Sequence, residues 1–67
     1  MQIHRPEQGG LIIHKIRLKG YKGHFSAWYL PNGRMEDAEQ IIDGNERPVK
    51  KDGPIWKTLD QIGSIIV

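Results

Sequence analysis

At 67 residues the chain has room for one small core and not for a second. It contains no Cys, which excludes disulfides, thiolate-held metals and thiol nucleophiles. A net charge of +2 with a pI near 9.2 excludes a polyacidic protein and leaves anionic partners open.

The first segment, MQIHRPEQGG, is polar, contains Pro6 and ends in Gly9-Gly10. Residues 1–10 are therefore expected to be a flexible N-terminal arm ahead of a single small domain over 11–67. The segment has no apolar core of the kind a leader needs, and no apolar run approaches the ~20 residues of a membrane helix. A cytoplasmic protein without membrane contact is expected.

Residues 11–30 read as a β-hairpin. Ile12, His14, Ile16 and Leu18 alternate with Lys15, Arg17 and Lys19, which predicts an apolar face and a basic one. The glycines of Gly20-Tyr21-Lys22-Gly23 supply the break. Pairing across it sets Leu18 opposite Phe25, Ile16 opposite Ala27 and His14 opposite Tyr29, with Trp28 left on the basic face. Pro31-Asn32-Gly33 predicts a tight turn with Gly in the left-handed position.

A short third strand is expected from Arg34. Full strand periodicity would put Asp37 and Glu39 on the side of Met35 and Ile41, at the cost of burying charge. The helix formers in Met35–Gln40 offer a helical turn over 36–42 as the alternative. Asp43-Gly44-Asn45 predicts a second turn, and residues 46–53 a loop anchored by Val49. Pro54 suits the first position of a helix capped by Asp52 or Gly53. Ile55, Trp56, Leu59 and Ile62 form its apolar stripe over 54–62, and Gly63 its C-terminal cap. The tail from 64 to 67 is expected to add a strand. The sum is an α+β fold, a small antiparallel sheet packed by one main helix.

Charge is segregated along the chain. Arg5, Lys15, Arg17, Lys19 and Lys22 against Glu7 give residues 1–24 a charge of +4. Arg34 against Glu36, Asp37, Glu39, Asp43 and Glu46 gives residues 25–46 a charge of −4. Cations two apart on a strand are about 6.6–7 Å apart, close to the per-strand phosphate spacing of DNA. A tryptophan beside them offers a surface for stacking a base. Lys15, Arg17, Lys19, Lys22, Trp28 and Arg34 are accordingly the candidate nucleic-acid-binding residues. The segment AWYLPNGR resembles the β-hairpin of three-stranded DNA-binding domains, such as the arm-binding domains of phage integrases. That resemblance covers residues 23–35 and implies a sheet laid in the major groove and backed by a helix. After it an acidic segment stands where that family has its helix.

The carboxylates define a second candidate surface. Glu36, Asp37 and Glu39 suit docking of a cationic protein, and a chain with so small a core gains from a second copy of itself. On this reading the chain is a small inhibitor or adaptor of the kind mobile genetic elements encode. No catalytic constellation appears. The histidines His4, His14 and His24 are ten residues apart, and Ser26 and Ser64 lack a partnered base. The carboxylates lack EF-hand spacing, and the glycines form no phosphate-cradling motif. A non-enzymatic protein without cofactor or metal is expected, its partner a nucleic acid or a protein.

Overall fold

The computed structural model describes residues 2–66. Its elements follow the chain as β1 (Gln2–His4), β2 (Leu11–Ile16), β3 (His24–Tyr29), β4 (Met35–Ile42), β5 (Asn45–Pro48) and α1 (Pro54–Ile66). The strands make one antiparallel sheet in the order β1-β2-β3-β4-β5, with α1 packed across β3 and β4. The fold is thus α+β, a small antiparallel sheet covered on one face by a single helix.

The core lies between sheet and helix. Ile13, Phe25, Tyr29 and Leu59 are completely enclosed, with Leu11, Ile16, Ala27, Met35, Ala38 and Trp56 around them. Leu18, Val49, Ile55 and Ile62 close its edges. Burying one such aliphatic side chain stabilises by roughly 1.5–3 kcal/mol, so the helix is held by its stripe rather than by propensity.

Two bulges decide which side chains enter that core. In the β2–β3 pair Leu11 faces Tyr29, Ile12 faces Trp28 and Ile13 faces Ala27, but Ile16 faces Phe25. His14 and Lys15 together oppose Ser26, with Lys15 in the left-handed region at φ 58°. The expected pairing of Leu18 with Phe25, Ile16 with Ala27 and His14 with Tyr29 is therefore incorrect. Ahead of the bulge the odd residues Leu11 and Ile13 point inward; beyond it the even residues Ile16 and Leu18 do. Ile12 and His14 lie on the other face.

β4 solves its charge problem the same way. Tyr29 pairs with Met35 while Trp28 pairs with Asp37, so Glu36 is extra. The shift lets Met35 and Ala38 both face the helix while Asp37 and Glu39 face away. The third strand does not give way to a helical turn but runs eight residues.

The expected turn at Pro31-Asn32-Gly33 is present. Gly33 has φ 88°, its N–H donates to Leu30 O at 2.8 Å, and the Asn32 side chain accepts from Arg34 N at 2.9 Å. Asp43 and Gly44, both at positive φ, make a two-residue turn into β5, so residues 46–48 are strand rather than loop. Gln2–His4, expected within a flexible arm, instead pairs along β2.

The helix starts at Pro54 as expected, but it continues through the segment assigned to a tail strand. Ser64–Ile66 form its last turn, and Val67 lies outside the described residues. Gly63 is a buried interior position of this helix, not its cap.

Candidate functional site

The face of the sheet away from α1 is uncovered, and strand pairing fixes what it displays. Residues directly opposite one another in antiparallel strands share a face. One row runs His4–Ile12–Trp28–Asp37, and the next Gln2–His14–Ser26–Glu39–Pro48. The third contains His24–Ile41–Glu46. Ile12, His14, Trp28, Asp37, Glu39, Ile41 and Glu46 line an open groove of about 290 Å³.

Its centre is apolar and its two flanks differ in charge. Trp28 is half-buried between Ile12 and Asp37. Its indole Nε1 is enclosed, and no acceptor among the described residues reaches it. An unsatisfied buried donor costs about 1–3 kcal/mol. On one side His14 Nδ1 and Ser26 Oγ are 3.3 Å apart, so the predicted pairing of His14 with Tyr29 is replaced by a contact on the open face. On the other side Glu39 and Glu46 are diagonal neighbours. The hydrogen bond that the protonated Glu39 donates to Glu46 chiefly, then burial and the charges of Glu46 and Asp37, push the Glu39 carboxyl up from its usual range. Arg47 pairs with Gln40, which places it on the helix side and leaves these carboxylates without a cation on their own half of the face.

The predicted basic set is divided. Lys15 is in the β2 bulge, and Arg17, Lys19 and Lys22 are exposed in the loop between β2 and β3. Lys15, Ile16, Arg17 and His24 line a recess at that end, and Gln40 Nε2 donates to Lys22 O at 3.0 Å. Arg34 is at the opposite end of β3, in a recess with Glu36, Lys51, Asp52, Trp56 and Asp60. Lys51 Nζ sits 5.9 Å from the Trp56 ring centre, a cation–π contact.

The predicted acidic set divides too. Asp37 and Glu39 reach the open face, whereas Glu36 turns into the Arg34 recess. Glu46, Ile12 and Ile41 join the site unpredicted. Only the parity change at each bulge and the pairing of β5 bring them there.

The three histidines all reach the open face or its edge by strand pairing. Among the described residues no three His, Asp or Glu side chains are grouped to hold a metal ion. No described helix is long and apolar enough to cross a membrane. No family model, curated protein or solved structure matches the chain.

Proposed function

We propose that this chain is a non-enzymatic protein-interaction module, an adaptor or inhibitor that docks a partner on its open sheet face. One observation carries this: Trp28, with Ile12 and Ile41, forms an apolar centre bordered by Asp37, Glu39 and Glu46. Apolar centres with a polar rim are the anatomy of protein interfaces, with tryptophan over-represented at their anchors. Phosphate would meet like charge along half of the face, whereas a cationic protein segment would relieve the crowding of Glu39 by Glu46. The enclosed, unpaired Trp28 N–H supports the same choice, because sites that break packing rules are more often kept for function than for stability. The cysteine-free composition fits a cytoplasmic setting.

The emission of Trp28, read in a Trp56→Phe background, tests the proposal. Titration with a short peptide of alternating Leu and Lys is expected to shift it saturably, and Glu39→Lys with Glu46→Lys to abolish the shift. An equal response to a Leu/Glu peptide, or none to either, rejects it.

A second reading, nucleic-acid binding, is favoured by the exposed cluster Lys15, Arg17, Lys19 and Lys22 at one end of the β2–β3 hairpin. In it those four side chains contact phosphate, and Trp28 and Arg34 lie away from them. Oligonucleotide anisotropy at two salt concentrations checks it. Each Lys or Arg→Ala change should weaken binding and lower the salt slope by about one. Absence of binding at low salt removes it.

A further inference from the structure

We infer that the partner of the open sheet face is a second copy of this chain, bound face to face about a twofold axis parallel to β3. This rests on the docking role proposed for that face and names its occupant.

A closed homodimer needs a surface complementary to itself. When two sheets stack with the twofold axis along their middle strand, each strand on one side of that axis meets its counterpart from the other side. β3 is the middle of the five strands, so β2 of one copy lies over β4 of the other. The open face is patterned for this operation. Its β1–β2 half displays His4 and His14, with Lys15 in the bulge and Arg17 just beyond the end of β2, and no carboxylate among the described strand residues. Its β4–β5 half displays Asp37, Glu39 and Glu46, and no cation among the described strand residues. Trp28, on the central strand, falls next to the axis and meets the apolar centre of the other copy.

The match is direct in the row of His14. The row of His14 carries Glu39 at its far side, so the twofold sets the imidazole of each copy over the carboxylate of the other. The end of the sheet bearing Lys15 and Arg17 is also the end bearing Glu46, in the row of His24 and Ile41. The operation lays this end of β2 over β4, one strand spacing of about 4.8 Å from Glu46 on β5, a gap that a lysine or arginine side chain spans. The two sheets would stand about 10 Å apart, with β3 of the two copies parallel.

Size sets the strength. Five strands about 4.8 Å apart, the middle three of six to eight residues and the edge strands of three and four, present a face of roughly 20 by 20–25 Å at its widest. That is at the small end of specific interfaces, so association in the micromolar range is expected rather than an obligate dimer.

Sedimentation equilibrium of the whole chain, from low micromolar to about 1 mM, reads the association. The acid-to-base variant combines Glu39→Lys and Glu46→Lys; the base-to-acid variant combines Lys15→Glu and Arg17→Glu. Each alone juxtaposes like charges and is expected to weaken the dimer roughly tenfold to a hundredfold. Mixed one to one, the two variants should regain a dimer at least as tight as the parent, which a misfolded variant cannot do. Circular dichroism confirms that each is folded. A parent monomeric throughout overturns the inference, as does a dimer indifferent to both variants or a mixture that fails to associate. If the parent is monomeric while the Leu/Lys peptide still shifts Trp28 emission, the docking face stands and the second copy is excluded. If both fail, the face itself is not a docking surface.

Discussion

A methyl group added at Gly63 would overlap the carbonyl oxygen of Gly33 and the ring of Tyr29. Glycine is there because helix and sheet touch through backbone, not because the helix ends. Gly63→Ala gains about 1 kcal/mol of helix propensity but forces overpacking that costs typically 1–3 kcal/mol. A net fall in thermal midpoint of several degrees is expected, and a rise would show that α1 does not lie so close. Beside it, Tyr29 O–H donates to Leu59 O at 2.7 Å, and Asp60 Oδ1 accepts from Met35 N at 3.0 Å. These bonds fix the helix on the sheet at its middle. Burial, and secondarily the charge of Asp60, push the Tyr29 phenol up to about 12 from 10.0. The folded chain thus holds this proton where the unfolded chain has lost it. The stability so gained is complete below pH 10 and disappears as pH rises through 12. Tyr29→Phe should cost about 0.5–1.5 kcal/mol at neutral pH and remove that alkaline loss, measurable by urea melts from pH 7 upward. Glu39 also holds its proton more tightly when folded, so its effect on stability is favourable in acid and lost as pH rises above the ordinary carboxylate range. Glu39→Gln should raise the midpoint of the isolated chain at pH 7 and match the parent in acid; a lower midpoint at pH 7 would mean that Glu46 does not crowd it.

Among the elements, those with a local chemical cause were legible and those produced by a parity change were not. Pro31-Asn32-Gly33 specifies its turn through Gly33 alone at φ 88°, and Pro54 opens the helix with a missing N–H that costs nothing there. The bulges have no such signature. Lys15 is not a residue type that advertises φ 58°, and no pattern of alternation reveals that Leu11-Ile12-Ile13 and Ile16 enter the core on opposite parity. An uninterrupted period of two therefore assigns Ile12 and His14 to the wrong face and hides half of the open sheet face. In β4 the same simplification makes Asp37 and Glu39 look buried. β5 is hidden in the sequence although Asp43-Gly44 is a strong two-residue hairpin signal, because Glu46, Arg47 and Pro48 are poor strand formers. Their strand is an edge, and charge with proline is what protects an exposed edge from pairing. The bulge makes its own prediction. Lys15→Gly relieves a left-handed residue and should leave stability within about 1 kcal/mol of the parent. Deleting Lys15 leaves His14 alone opposite Ser26, so Leu11, Ile13, Ile16 and Leu18 fall on one parity and all still face the core. Cooperative thermal unfolding is expected to persist, and its loss in the deletion variant would refute the two-against-one pairing.

At the scale of the molecule, sheet order equals chain order, so the sequence's segregation of charge becomes segregation across the sheet. Basic residues concentrate around β2 and the loop after it, and carboxylates on β4 and β5. The last turn of α1 offers an alternative contact, with Ile65 and Ile66 83 and 44 % exposed. The two surfaces respond oppositely to salt. Charges on the open face act over a Debye length of about 30 Å at 10 mM salt and of less than about 10 Å above 100 mM. A dimer formed through that face should weaken roughly tenfold when sodium chloride is raised from about 10 to about 300 mM. A dimer formed through the isoleucines would be indifferent to sodium chloride and strengthened by sulfate, which favours apolar burial. Sedimentation equilibrium in the two salts separates them. Weakening in chloride, together with an unchanged affinity for Ile65→Ser, assigns association to the sheet face, whereas insensitivity to chloride with loss of the dimer in Ile65→Ser assigns it to the helix end.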